Sequence, residues 1–385
     1  MTAPILLYLV TEDWYFLSHR LPMAQAAQAA GYEVHIATRV NGGGAEIERH
    51  GFVLHPLDWP RGSLNPFLRL ALWRDVRALY RKVSPKLVHH VAIEPTIIGS
   101  LAAIGLPMAT LNALAGLGFA FTSRTLKARL VGCIIGWTLG WLLRRPHVSA
   151  LVQNSDDRKA LISLGVPADR IFLIPGSGVD TQALVPLPEP DGDLITAGFV
   201  GRLLDDKGIR MLVDAHDQLA RNGLQLRLLI AGSPDPANPA SISAGEIEAW
   251  RSRPNISVLG HVTDIREVWA AAHIGVLPSR REGLPKSLLE AAACGRPLVA
   301  TDVPGCREVA RENVNALLVP PDDAVALADA LAVLIGDRER RRRFGVASRA
   351  LAEQEFSAIR IGQAIVELYD RLLSGDPLRR PSASG

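Results

Sequence analysis

Cysteine is scarce in this chain: Cys133, Cys294 and Cys306 are the whole complement of its 385 residues. They stand far apart, with no C-x-x-C pair and no Cys/His cluster, which excludes a disulfide framework and indicates no zinc site. Aromatic residues make up only 5%. A basic stretch ahead of a long apolar segment is missing at the N-terminus. The apolar run Ile5 to Val10 is too short for a signal core and reads as a first strand. No uninterrupted apolar segment approaches the roughly 20 residues that cross a bilayer. The uncharged stretch from Pro95 to Ser123 is broken by Gly105, Pro107, Asn112 and Gly116, and reads as helix, buried strand and loop. Neither sign of charge dominates, with 42 Lys and Arg against 39 Asp and Glu. A reducing cytoplasm is the expected location.

What is present is the composition of a core-forming globular chain, 48% hydrophobic and 21% charged. The length suggests two domains. Apolar β-rich runs alternate with helical patterns along the whole chain. Ile5–Val10, Glu33–Thr38, Leu87–His90, Met108–Leu111, Ala150–Asn154 and Ile171–Ile174 read as strands of a first parallel sheet. Helices are expected over Ser18–Ala30, Asn65–Val83, Ile97–Ile104, Ser123–Leu143 and Ser155–Leu164. The segment VPLPEPDGD, Val185 to Asp193, has a linker's composition. A second series follows at Ile195–Val200, Leu226–Ile230, Ile256–Leu259, Gly275–Pro278, Pro297–Ala300 and Ala316–Val319. The repeat of βα units predicts an α/β protein of two doubly wound domains, 1–188 and 193–356. A last helix, 357–374, and a disordered tail, 376–385, complete the expected layout.

Two segments carry chemistry. In EGLPKSLLEAAACGRPLV, Pro285 suits the first position of a helix, which puts Glu282 in the preceding loop and Glu290 on the second turn. The positive end of the helix dipole then lies between two carboxylates, a setting for a ligand with hydroxyls on both sides of a phosphate. An ordinary helix with a solvated Glu at each end gives the same spacing. In TAGFVGRLLDDKG, Arg202 and Lys207 follow a strand's carboxyl end, where open α/β sheets bind ligands, and a helix begins near Gly208. Together an Arg fork and a Lys point charge suit a diphosphate.

Together the two segments resemble the retaining glycosyltransferases of the GT-B fold, specifically the "glycosyl transferases group 1" family. Its G-R-x-x-x-x-K-G and E-G-x-P-x-x-x-x-E-A-x-A-x-G-x-P motifs both occur here, in the right order and separation. The resemblance implies two Rossmann-like domains facing a cleft, with an acceptor-binding N-terminal domain, a donor-binding C-terminal domain, and the last helix packing back on the first. It implies that Arg202 and Lys207 stabilise the departing nucleoside diphosphate, assisted by the backbone of Gly283 and Leu284, without a metal or cofactor. Glu290 would accept from the ribose hydroxyls and Glu282 would contact the transferred sugar. Gly201, Gly232 and Val262 complete the expected donor site. The reaction would proceed with retention, by same-face attack.

The N-terminal half departs from many relatives, which carry a Gly-rich loop after the first strand. This chain has TEDWYFLSHRLPMA, with Ser18, His19 and Arg20 opening the first helix. Its F-x-x-H-R-x-P-x-A segment, L-V-H-H strand end and GLGFAF loop are similar to those of relatives that extend lipid-linked sugars in surface-polysaccharide or glycan assembly. His19, His89, His90, Gly116 and Gly118 are the acceptor-side candidates on that resemblance, with His89 also a catalytic candidate. Other members have H-x-H-E-P where this chain reads HHVAIEP, so either histidine, or neither, faces the sugar.

Charge is uneven. Between Arg61 and Arg145 lie twelve Lys and Arg against Asp75 and Glu94, a net of +10, which leaves −7 for the rest of the +3 chain. On the helix expected over Asn65–Val83, Arg74, Arg77 and Arg81 share a face opposite the stripe Leu68, Leu72, Val76, Leu79 and Val83. The run Leu130–Pro146 carries Trp137 and Trp141 between basic flanks. Both suit peripheral attachment to the inner face of an anionic cytoplasmic membrane. A basic surface helix and a buried core helix account for the same residues. Arg338 to Arg343, with five Arg in six positions, reads as a solvated helix face. The reading is a glycosyltransferase moving a hexose or N-acetylhexosamine from a nucleotide-sugar, UDP-linked, to a polyprenyl-diphosphate-linked saccharide. Nucleic acid is not an expected partner. A soluble or different lipid acceptor, a sugar-nucleotide 2-epimerase and a non-catalytic membrane adaptor are the alternatives.

Overall fold

Runs of β-branched and aliphatic residues between glycines and prolines form parallel strands buried on both faces, as βαβ crossovers require. The computed structural model describes residues 3–60, 65–114, 126–236 and 238–374. Gly116 and Gly118 lie outside them, as does the tail 376–385. Two compact units emerge, Met1–Ser177 with Ala358–Gly385, and Gly178–Ser357.

The first unit holds seven parallel strands: β1 (Ile5–Glu12), β2 (Glu33–Arg39), β3 (Val53–Pro56), β4 (Leu87–Val91), β5 (Ala109–Leu114), β6 (Val148–Val152) and β7 (Ile171–Leu173). Their order is β3-β2-β1-β4-β5-β6-β7, so the chain reverses direction across the sheet between β1 and β4. Alternation sorts the side chains. Leu6, Tyr8, Val10, Leu87 and Val91 face the Leu21–Ala29 and Ala358–Ser374 helices, while Leu7, Leu9 and Val88 face the Pro66–Val83 and Ile93–Ala103 helices. The short edge strand β3 has no counterpart in the sequence reading, because Val53–Pro56 is only half-buried and lacks an apolar run.

The second unit holds six parallel strands: β8 (Thr196–Val200), β9 (Arg227–Ala231), β10 (Ile256–Gly260), β11 (Ile274–Leu277), β12 (Leu298–Thr301) and β13 (Ala316–Val319). Their order, β10-β9-β8-β11-β12-β13, reverses between β8 and β11. The core between sheet and helices includes Phe199, Trp269, Leu288, Leu298 and Phe344.

Several expectations are corrected. The first helix starts earlier, at Asp13–His19, and breaks at Arg20 (φ −128°, ψ −14°) before a second helix, Leu21–Ala29. Pro22, lacking an N–H, cannot continue the ladder of the first helix and instead sits in the opening turn of the second. Ser18 and His19 therefore close a helix rather than open one. The Pro-rich segment is not a free linker. Arg349 donates to the carbonyls of Thr181 and Leu184, Arg338 and Arg341 grip Glu189, Arg296 reaches Pro188 O, and Leu187 N–H bonds Cys294 O at 3.1 Å. These bonds fasten it to the second unit, which begins at Gly178 rather than after 188. Arg341 is buried in that clamp, so the arginine cluster is not wholly a solvated face. Arg77 likewise leaves the basic face of its helix to cap the carbonyls of Ala102 and Ile104 at 2.6 and 2.9 Å.

Candidate functional site

The loops after β8, β9 and β10 are stitched together by their backbones. Gly201 N–H donates to Ala231 O at 3.0 Å and Gly232 N–H to Gly260 O at 2.7 Å. Gly232 adopts φ +145°, and a Cβ there would fall 1.8 Å from Gly201 O. Only glycine permits that approach. Arg202 follows at once and pairs with Asp235 at 3.0 Å. A 3₁₀ turn, Asp205–Lys207, then delivers Lys207 ahead of the Ile209–Arg221 helix.

The β8 loop lies on the β11 loop across the strand reversal. Gly208 (φ +70°) allows the contact, because a Cβ would stand 1.9 Å from Pro278 O. Lys207 Nζ meets Glu282 Oε1 at 2.5 Å, Arg281 pairs with Asp206, and Arg280 bridges Asp205 and Asp322. Ser279 Oγ donates to the same Glu282 oxygen at 2.6 Å. The following helix is Lys286–Ala293, with Pro285 as its N-cap rather than its first residue. The Pro285 carbonyl accepts from Leu289 N–H at 3.3 Å, so the helix begins one residue later than the sequence reading has it. Glu290 lies on the second turn, only 12% of its side chain exposed. Burial raises its carboxyl pKa, opposed by Lys286, whose Nζ is 3.6 Å away. Gly305, opening the Pro304–Val309 helix, supports the backbone beneath: a Cβ there would lie 2.5 Å from the carbonyl oxygens of Glu282 and Gly283. Leu284 packs on the core, and Val262, half-buried, follows β10.

Arg202, Lys207 and Glu282 thus stand on interlocked loops at the carboxyl edge of one sheet, with Glu290 on the second turn of the helix that follows. Ser279, Gly305 and Asp235 belong with them but escaped the sequence reading. The Pro-Gly pair after β12 was the one legible signal, for Gly305. Among the described residues no group of three or more His, Cys, Asp and Glu is placed to hold a metal ion.

The first unit places the histidines differently. His89 and His90 are wholly buried rather than at an open edge. His90 Nε2 meets Tyr80 Oη at 2.9 Å and Nδ1 meets Asn112 Oδ1 at 2.8 Å, and burial lowers its pKa to about 4. That is the pattern of a structural histidine. His89 stacks on Tyr8 and bonds Tyr369. His19 is half-buried, stacked on Tyr15 at 4.3 Å with Nδ1 2.5 Å from Ser18 Oγ.

The family model described as "Glycosyl transferases group 1" matches residues 195–337, and that described as "Glycosyl transferase 4-like" matches 5–144. Each half of the chain thus matches a glycosyltransferase family model. Each match falls inside one of the two units. The capsular polysaccharide biosynthesis glycosyltransferase CapM of Staphylococcus aureus is 28% identical to this GT-B chain over 181 residues, 47% of either chain. The alignment therefore spans about half of that relative. The N,N'-diacetylbacillosaminyl-diphospho-undecaprenol alpha-1,3-N-acetylgalactosaminyltransferase of Campylobacter jejuni is 24% identical over 380 residues, 93% of this chain and 98% of that one. The crystal structure of Anabaena HepE in complex with UDP matches with a TM-score of 0.76 at 18% identity, covering 95% and 99% of the two chains. That likeness shows the GT-B fold.

Proposed function

We propose that the protein is a retaining hexosyltransferase that moves a hexose or N-acetylhexosamine from a UDP-sugar to a polyprenyl-diphosphate-linked saccharide. One observation carries the donor side: Lys207 and Glu282 meet across the β8–β11 reversal, where doubly wound sheets bind ligands. Lys207 and Arg202 would take the diphosphate and stabilise the charge that grows as the glycosidic bond breaks. Glu282, freed from Lys207 as the phosphate takes that cation, would accept from the sugar hydroxyls. Glu290 would accept from the ribose. The leaving phosphate itself would receive the acceptor proton on the face it departs from, which yields retention. UDP is bound by the Anabaena relative, and a diphospho-undecaprenol saccharide is the acceptor in the Campylobacter relative's name.

The acceptor lipid also fits the surface of the first unit. Phe67 is 79% exposed and Trp137 71%, with Leu68, Leu70, Ile134 and Trp141 exposed beside them on their two helices. Arg145 stands 5.1 Å over the Trp141 ring, an arrangement suited to the headgroup level. No helix among the described residues is long and apolar enough to cross a membrane. Peripheral attachment through these helices is part of the proposal.

The test is product detection. UDP-sugars would be screened against polyprenyl-diphosphate saccharides by mass, with the product's anomeric configuration read by NMR. A new α-glycoside from an α-linked donor supports the reading. An inverted product sinks retention, and an epimerised nucleotide-sugar formed without acceptor sinks transfer altogether.

A further inference from the structure

Each sheet reverses its strand order once. The reversal in the second unit carries the proposed donor site; the one in the first unit, between β1 and β4, holds a cluster with no role so far. Tyr8 on β1 and His89 on β4 are register partners across it, their rings stacked at 4.8 Å. Tyr369, from the Ala358–Ser374 helix, sets its hydroxyl 2.7 Å from both Tyr8 Oη and His89 Nδ1. All three side chains are buried.

Proton bookkeeping fixes what this triad offers. Burial holds His89 well below its ordinary pKa, so the ring is neutral and carries one proton. Two phenols supply two more. Both find acceptors only if Tyr8 donates to Tyr369 and Tyr369 donates to His89 Nδ1. The imidazole proton then sits on Nε2, where His89 has no hydrogen-bond partner. Arg20 stands close by electrostatically: after burial, its cation helps depress His89 and opposes the rise of both phenols. Arg20 is 2% exposed, its Nε–H is also without a partner, and its Nη1 finds only His19 O at 3.4 Å and Met23 Sδ at 3.9 Å. No carboxylate among the described residues pairs with it. Water would satisfy the donors but leave the buried charge uncompensated.

We propose that Arg20 and His89 form an anion subsite at the β1–β4 reversal, which takes a phosphate group of the acceptor. The inference rests on the reading of the acceptor as a diphosphate-linked saccharide. A tetrahedral oxyanion answers all three demands at once: it neutralises the guanidinium and accepts from Nε of Arg20 and Nε2 of His89. Arg20 lies at the elbow between the two helices that follow β1.

The experiment uses the full chain carrying Arg202→Ala and Lys207→Ala, which silences the donor-site cations. Inorganic pyrophosphate should raise its melting temperature, and adding Arg20→Met should abolish that rise. Without anion, Arg20→Met should melt no lower than its parent, because an unpaired buried charge has gone. In the otherwise native chain, Arg20→Met should raise the acceptor KM about tenfold or more, the loss of one charge-assisted contact, with donor KM unchanged. His89→Phe, which keeps the stacking on Tyr8, should do the same if Arg20→Met fails to fold. A saccharide on an uncharged lipid should show no such dependence. Pyrophosphate stabilisation that survives Arg20→Met, or an unchanged acceptor KM, overturns the subsite. Absence of any lipid-linked product sinks the acceptor reading alone and leaves the pyrophosphate arm to judge the anion site.

Discussion

Lys207 is held by Glu282 at 2.5 Å and Arg202 by Asp235 at 3.0 Å, so in the proposed donor site both cations would reach the diphosphate by exchanging a carboxylate for a phosphate. Lys207→Ala and Arg202→Ala should each lower turnover by about 10²-fold, the usual cost of one charged stabiliser of the leaving group, with the melting temperature nearly kept. Steady-state kinetics at saturating donor check this; turnover near the native value in both would refute the donor site. Glu290 adds a pH dependence. Its raised carboxyl pKa means the free site begins to protonate above the ordinary Glu range, while ribose hydroxyls bound as proposed would favour the ionised form. Affinity for a UDP-sugar should therefore fall as pH is lowered, starting above the usual value of about 4.3. Glu290→Gln should flatten that fall and weaken binding at neutral pH by about 1.5–3 kcal/mol. Calorimetry across pH reads both. The four charged residues were legible because their spacing is written in the chain. The support from Asp235 was not, since it arrives on the loop after β9, and Ser279, though only three residues before Glu282, belongs to no motif that marks its hydroxyl as a partner of that carboxylate.

Single elements show the same divide. Among the described residues, twelve of the thirteen strands announce themselves as short apolar runs, and the sequence places them within three residues. The break between the helices at Arg20 hides, because Asp13–His19 is short and its pattern merges with the next helix. Strand β4 ends in two histidines that read as acceptor-side candidates, yet the crossover helix and the C-terminal helix cover opposite faces of it, and both rings are interior. His90 makes that burial measurable. Its native pKa of about 4 lies below the unfolded value near 6.5, so the folded state binds fewer protons between them. The stability this contributes is complete above pH 6.5 and is lost as pH falls toward 4. Between pH 7.5 and 5 the native chain should lose about 2 kcal/mol more than His90→Gln, measured by urea unfolding of the first unit's signal.

At the scale of the molecule, net positive charge and, among the described residues, the large exposed aromatics lie in the first unit. Vesicles of anionic lipid should sediment the full chain, and binding should weaken with salt and with Arg74/Arg81→Glu, each basic residue near the surface being worth about 1 kcal/mol. Arg77 is left out of that set because its guanidinium is committed to the carbonyls of Ala102 and Ile104. Binding indifferent to salt would point to apolar insertion through Trp137 and Phe67 alone. The division into units was only half legible: the repeat of βα runs foretold two sheets, but proline content misplaced the boundary, since composition cannot tell a free tether from one clamped by arginines.

The bond from Val179 N–H to Phe356 O at 2.8 Å, and the bridge between Val179 and Ser357, place the first and last residues of the second unit side by side. In architectural terms this unit is an insertion: the chain leaves the first unit at Ser177 and rejoins it at Ala358 through one doorway. Such a segment has no need of the rest to close its core. Residues 178–357 expressed alone should unfold as one cooperative unit and still bind a UDP-sugar, whereas joining Ser177 directly to Ala358 should leave a first unit that keeps its own melting transition. A fragment 178–357 that is molten on its own would show that the doorway is held from the other side.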